Sequence, residues 1–235
     1  MNLLRSMDEL RAFLSPAENA AYLSDAWDDN AQIDMVSDEV KMDFTSPNRG
    51  HLIIKGGYKT GLKHFLVKFS SRFESVTGNL DSINRCLILI GDAQTGLMTT
   101  ILIDHGDHNS TDRCQLPEFD WAEIQRCLSV TGDDSVWLQQ KEGFRAFSAG
   151  EIMVPPVIYL PFEGRGDLHL KGAHRYEGDL YVFKIATAFP NNVERSLEPS
   201  QGIMLAFDAR TAEPIMVLRD EGHLTTGAFA KTRER

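Results

Sequence analysis

The strongest constraint on the fold of this chain is an internal repeat. Residues 52–106 appear again, in altered form, at residues 168–222. A shift of 116 positions without a gap aligns Lys68 with Lys184, and most apolar positions in the repeat keep an apolar residue. A period of this length is typical of a duplicated structural unit. We therefore predict two copies of one unit, packed as a pseudo-twofold dimer, because related copies associate as two protomers do.

The predicted units span residues 1–115 and 116–235, and each has the same order of elements. Two helices come first, and in the first copy the second of them begins at Pro16 and is predicted to run to about Asp28. Antiparallel strands joined by turns rich in Gly and Asp follow. This order predicts an α+β fold with a helix-helix-sheet unit in each copy.

The same pattern argues against a Rossmann domain in this chain. A Rossmann unit needs a glycine-rich turn between a strand and a helix, so that backbone N–H groups can bind a pyrophosphate. The nearest candidate, residues 91–96, lies between two predicted strands and carries an Asp. We therefore expect no cofactor in this chain.

Charge and composition exclude several further classes of protein. The formal net charge is -10, whereas a nucleic-acid-binding surface is basic. The longest apolar runs are much shorter than the roughly 20 residues of a membrane helix. Three cysteines form no CxxC pattern and no signal peptide is evident, so we expect a cytoplasmic protein with neither a nucleic acid nor a membrane as partner. Trp137 and the other tryptophans have the spacing of core residues.

Three segments resemble a known family in their order and spacing. They are residues 6–14 (SMDELRAFL), 143–156 (GFRAFSAGEIMVPP) and 183–192 (FKIATAFPNN). This series is similar to the substrate-binding and dimerisation domain of the ornithine cyclodeaminase and mu-crystallin family. The resemblance implies an amino-acid or imine substrate held by basic side chains, with NAD(P) on a following Rossmann domain. Each copy ends where that domain would begin, so a separate NAD(P)-binding subunit is one expected partner.

The resemblance also indicates which basic residues form the site. The family has a basic residue after a pair of prolines, a lysine on the central strand and an arginine after the last strand. The first copy has Lys41, Lys68 and, one position late, Arg113 at these places, whereas the second copy keeps only Lys184. We predict that Lys41, Lys68, Arg113 and Lys184 bind substrate and that Lys68 is catalytic. The alternative is that each lysine lies on the solvent side of an alternating strand.

A weaker pattern concerns metal binding. Asp104, His105 and His108 combine the N and O ligands that zinc or iron sites use. The segment is predicted to be a loop and no distant ligand can be identified, so a solvated acidic turn is the favoured interpretation.

Two functional hypotheses follow from these observations. The first is an enzyme of amino-acid or specialised metabolism, in which Lys68 anchors the substrate or acts as a base or Schiff-base amine in NAD-independent cyclisation, deamination or tautomerisation. The second is a non-catalytic small-molecule binder or a pseudo-dimeric partner of the nucleotide-binding subunit.

Overall fold

The first part of the chain folds as a pair of helices and a seven-stranded sheet, here called sheet A. The computed structural model describes residues 1–23, 35–45, 48–74, 83–104 and 116–221. Sheet A has the strand order β1-β7-β6-β5-β4-β2, and β3 also pairs with β4. Its elements are β1 (Asn2–Leu4), α1 (Met7–Phe13), α2 (Pro16–Tyr22), β2 (Met35–Val36), β3 (Val40–Phe44), β4 (Gly50–Tyr58), β5 (His64–Phe73), β6 (Ile83–Asp92) and β7 (Met98–Asp104).

The second part forms another helix pair and another seven-stranded sheet, sheet B. Its strand order is β10-β11-β12-β13-β14-β8, and β9 pairs with β11. A 3-10 helix (Pro190–Arg195) lies between β12 and β13. The other elements are β8 (Glu118–Phe119), α3 (Trp121–Thr131), α4 (Asp133–Ser148), β9 (Ile152–Met153), β10 (Ile158–Phe162), β11 (Gly166–Arg175), β12 (Leu180–Ala188), β13 (Ser200–Asp208) and β14 (Pro214–Arg219).

The two sheets share a strand register. Lys68 lies between Lys55 and Ile88 on the neighbouring strands of sheet A, and Lys184 lies between Lys171 and Met204 in sheet B. The fold is α+β, as predicted, but the sheets are mixed rather than antiparallel. The first strand of each unit pairs in parallel with the last, β1 with β7 and β8 with β14. This pairing is possible because nearly the whole unit forms the long connection that parallel strands require.

Local sequence explains the helix starts better than the helix ends. Ser15 caps α2 in a reciprocal capping box with Glu18, and Pro16 occupies the first helical position. The helix ends at Tyr22, where the N–H of Leu23 bonds to the carbonyl of Asn19, so the predicted extension to Asp28 is wrong for Leu23. The rest of that extension lies outside the described residues.

One hydrophobic core joins the two sheets. It contains the inward-facing residues of both, and aromatic rings meet across it: Phe44 contacts Tyr181, and Phe65 contacts Phe162. Hydrogen bonds add to this packing at the edge of the core. The Arg165 guanidinium donates to the Tyr58 hydroxyl at 2.8 Å and to the Ala93 carbonyl at 3.2 Å. The inner faces of both sheets are therefore fully used in packing.

The outer face of sheet A is covered by its own helices. Leu10, Leu14, Ala21 and Tyr22 pack on Leu66, Ile88, Ile90 and Leu102, and all eight are buried. Full burial of one such aliphatic side chain stabilises a fold by roughly 1.5–3 kcal/mol. No helix among the described residues has the length and apolarity to cross a membrane.

Candidate functional site

The lysines predicted for the first unit lie on the outer face of sheet A. On β5, Val67 and Phe69 point into the shared core, so Lys68 between them points to the opposite side, where it is half-buried. Lys55 stands directly opposite on β4 and shares this face. Paired positions place side chains about 5 Å apart, and two like charges there are unfavourable without counter-charges. Counter-charges beside this pair of lysines are therefore favourable.

The described carboxylates neutralise the neighbours of Lys68. Lys55 Nζ lies 3.0 Å from Glu39 Oε2, and Lys41 Nζ lies 2.8 Å from Asp43 Oδ1. Lys41 is on the same face as Lys68, but on β3, with β4 between them. Among the described residues, no carboxylate forms an ion pair with Lys68. Lys68 is thus a half-buried cation whose charge is left unmatched in the described part of the structure.

The equivalent lysine of sheet B has a protein counter-ion. Lys184 Nζ lies 2.7 Å from Asp220 Oδ2, and the Asp220 side chain is fully buried. The pair reaches across Gly202, where a Cβ atom would lie 1.7 Å from Asp220 Oδ1. In sheet A, Cys86 occupies the position equivalent to Gly202. A ligand carboxylate at Lys184 would have to compete with Asp220.

For the other predicted site residues, the structure describes no side-chain contacts. Arg113, His105 and His108 lie outside the described residues, and Asp104 is the last residue of β7. Within the described ranges, no three His, Cys, Asp or Glu side chains are grouped closely enough to hold a metal ion. The role of Arg113 and the metal hypothesis both stay predictions.

A buried Glu–His pair, absent from the sequence analysis, holds α2 against the start of β5. Glu18 Oε1 lies 2.9 Å from His64 Nδ1 and also accepts the backbone N–H of His64 at 3.0 Å. The Tyr22 hydroxyl donates to the His64 carbonyl at 2.6 Å. These bonds fix the helix pair over the sheet four residues before Lys68. The capping sequence from Ser15 to Glu18 could have indicated the role of Glu18 at the start of α2, but no local pattern in the sequence indicates that His64 is its partner.

The ionisation of Glu18 reflects this environment. Burial raises the pKa of the Glu18 carboxyl, but hydrogen bonds from Ser15 and the charge of His64 lower it by more. The net result is a pKa below its ordinary value of 4.5. Glu18 is therefore a carboxylate at neutral pH, and its bonds make it a structural anchor for α2.

A small cleft between the first unit and sheet B is too narrow for an amino acid. Its walls include Leu97, Met98, Thr187 and Gln201, and its enclosed volume is about 30 Å³. A water molecule needs roughly 10–15 Å³ by this measure. The cleft therefore has space for about two waters.

Comparisons with known proteins support the resemblance seen in the sequence. The sequence model of the ornithine cyclodeaminase/mu-crystallin family matches residues 124–230, which include nearly all of sheet B. A provisionally named dehydrogenase of Rhizobium meliloti (strain 1021) is 29% identical over 86 residues, which are 36% of this chain and 26% of that protein. The chain thus spans about a quarter of the length of this relative.

Two solved structures also show similarity. An archaeal alanine dehydrogenase dimer with bound NAD has 24% identity and a TM-score of 0.41, over 45% of this chain and 31% of that chain. The Thermococcus litoralis Δ1-pyrroline-2-carboxylate reductase, in complex with NADH and L-proline, has 14% identity and a TM-score of 0.41, over 44% and 32% of the two chains.

Proposed function

We propose that this protein binds an amino acid or a derived imine through its carboxylate, on the outer face of sheet A, with Lys68 as the principal cation. The observation that carries the proposal is the half-buried Lys68 on a central strand, without an ion pair among the described residues, beside lysines that have carboxylate partners. The match to the ornithine cyclodeaminase/mu-crystallin family supports an amino-acid-type ligand.

The strength of this interaction follows from the environment of Lys68. A half-buried ammonium has lost part of its hydration, so a ligand carboxylate restores favourable interactions that water no longer provides. Hydrogen bonds to charged groups contribute roughly 1.5–3 kcal/mol. Loss of the Lys68 amine should therefore weaken ligand binding by about 10-fold to 100-fold.

Arg113 is proposed as the second carboxylate ligand. Its guanidinium presents parallel N–H donors that can bind both oxygens of one carboxylate. The family resemblance is the support for this role.

Catalysis at Lys68 is the enzymatic form of the proposal. The bound amino acid would undergo cyclisation, deamination or tautomerisation, with Lys68 as anchor, base or Schiff-base amine. A separate NAD(P)-binding subunit is the alternative source of chemistry, because the resemblance to the ornithine cyclodeaminase/mu-crystallin family implies NAD(P) on a neighbouring domain. Turnover by the purified chain, lost in Lys68→Met, would favour the first form, and turnover only after a nucleotide-binding protein is added would favour the second.

We further propose that the two units are copies of one ancestor packed about a pseudo-twofold axis. The shared register supports this, and so do reciprocal contacts in the core. Phe65 of the first unit contacts Phe162, and Tyr181, which is the counterpart of Phe65, contacts Phe44. Phe44 and Phe162 are equivalent because they pair with Gly50 and Gly166, which are 116 residues apart.

Thermal denaturation with a panel of L-alanine, L-proline, L-ornithine and pyruvate tests the binding proposal. A ligand at about 100 times its dissociation constant stabilises the fold by about 2.7 kcal/mol. We expect such a shift in the wild type and in the control variant Lys171→Met, but not in Lys68→Met. Equal shifts in all three proteins, or no shift in any, would contradict the proposal.

A further inference from the structure

The second unit exposes the apolar surface that the first unit buries. In sheet A, Leu66 and Ile88 are covered by α1 and α2. The equivalent positions in sheet B are Val182, which is exposed, and Met204, which is only partly buried. Helix α3 contacts β14 at one side of sheet B, where Ile124 and Ala206 are buried. The outer face around β12 keeps apolar residues without the helix cover that closes the equivalent part of sheet A.

The helices of the second unit also expose apolar residues that are buried in the first unit. Leu14, Ala21 and Tyr22 are buried in the first unit, whereas their counterparts Val130, Trp137 and Leu138 are 88%, 65% and 61% exposed. The prediction that Trp137 is a core residue is therefore wrong. Farther along α4, Phe144 and Phe147 are exposed as well, and Ala146 is the one residue of that helix that is buried among its described side chains.

The position of α4 explains why it does not cover its own sheet. Its last turns lie at the edge of sheet B, where α4 contacts β9. Arg145 bonds to Glu142 and Glu151, and Arg175 of β11 bonds to the same two carboxylates. The turn that leads into α4 also differs from its counterpart, because Gly132, with φ +79°, replaces the capping box that Ser15 and Glu18 form at α2.

From these observations we infer that a second copy of this chain covers the surface: α4 of each protomer packs on the outer face of sheet B of the other. One chain presents both an unpartnered helix face and an unpartnered sheet face, and in the first unit a helix pair and a sheet of the same kind bind each other. Two copies related by a twofold axis satisfy both faces at once, as an isologous interface requires.

The area and the charge of the surface fit this occupant. The exposed apolar side chains of α3, α4 and β12 present surface on the order of 700 Å², taking ~150–250 Å² for a whole aromatic side chain. Each partner in a stable interface buries about 800 Å². Lys184 lies on this face two residues from Val182, and Asp220 already neutralises it. A paired lysine can be buried in an interface, whereas an unpaired one is costly to bury.

Light scattering of the size-fractionated 235-residue chain tests the inference. We expect a mass of about twice the 26.4 kDa of one chain. Trp137→Glu and Val182→Glu should each give a monomer with an unchanged circular dichroism spectrum. Val193→Glu is the matched control, because Val193 is 63% exposed on the 3-10 helix beyond the far end of β12, and this variant should stay dimeric.

Mixing the two disruptive variants tests the reciprocal geometry. A Trp137→Glu chain keeps a normal sheet face and a Val182→Glu chain keeps a normal α4 face, so a mixed pair retains one of its two contacts. The mixture should dimerise more strongly than either variant alone. A wild type that is monomeric at all concentrations, a dimer that persists in both variants, or a mixture no better than its components would overturn the inference.

Discussion

Replacement of Lys184 by Met should destabilise the protein far more than replacement of Lys171, its neighbour in sheet B, or of Lys68, its equivalent in sheet A. The change removes the ammonium that lies 2.7 Å from the fully buried carboxylate of Asp220. Breaking a buried ion pair by removing one partner costs about 3–5 kcal/mol, because the other charge stays buried. The Lys184 side chain is 22% exposed, so solvent screening reduces the expected loss to about 2–3 kcal/mol.

Thermal or urea denaturation at neutral pH measures this loss. For a chain of this size, 1 kcal/mol corresponds to roughly 2–4 °C in Tm, so Lys184→Met should melt about 5–10 °C below the wild type. Lys171→Met, on the neighbouring strand, is a surface substitution and should stay within about 0.5 kcal/mol. Lys68→Met, at the equivalent position of sheet A, removes a half-buried cation that has no ion pair among the described residues, so it should be no more destabilising. A Lys184→Met protein as stable as these two controls would refute the reasoning about the ion pair.

Three further predictions concern residues near the two sheets. Gly202→Cys introduces the residue found at the equivalent position of sheet A. Its Cβ would collide with Asp220, so denaturation should show a large loss of stability when this change is made in the wild type. The loss of stability should be smaller when the same change is made in a Lys184→Met background. Glu18→Gln should destabilise the protein at neutral pH. Because the pKa of Glu18 is lowered in the fold, its contribution is present above the ordinary value of 4.5 and is lost as the pH falls through the lower folded value, so the variant and the wild type should converge in unfolding curves below that pH; a constant difference at all pH values would contradict this. Burial raises the pKa of Tyr181, with smaller effects from Asp208 and Glu213. Among the described residues its hydroxyl has no hydrogen-bond partner, so Tyr181→Phe should raise stability by about 1 kcal/mol. A loss of stability in denaturation would contradict this.

Much of the fold could be predicted because the repeat and the strand pattern are local or periodic signals. The strands around Lys68 and Lys184, and the start of α2 at Pro16, follow from alternation and capping chemistry. The parallel pairing of β1 with β7 could not be predicted, because it joins segments about 100 residues apart and leaves no periodic trace in either.

The candidate site, too, could be predicted only in part. The position of Lys68 on a central strand could be predicted, but its charge environment could not. The repeat aligns Lys68 with Lys184 and suggests one role for both. In sheet B the Asp220 carboxylate bonds to Lys184 beside Gly202, whose equivalent in sheet A is Cys86. Lys68 has no such ion pair among the described side chains, which do not include that of Asp104, the counterpart of Asp220.

The prediction that Trp137 is buried was wrong for a related reason. Spacing along a helix indicates which residues share a face, but it does not say which chain or which sheet that face meets. The counterpart of Trp137 in the first unit, Ala21, is buried against sheet A, and only the position of α4 at the sheet edge reveals the difference.

The most direct test of the central claim is a spectrum of the lysines themselves. Reductive ¹³C-methylation keeps the lysine charge, and the Lys68 signal can be assigned by its absence from Lys68→Met. Titration with L-proline, L-alanine, L-ornithine or pyruvate should move the Lys68 signal with a saturable dependence on concentration, while the Lys171 and Lys184 signals stay in place. A Lys68 signal that does not move with any of these compounds, or that moves only together with every other lysine, would contradict a carboxylate site at Lys68.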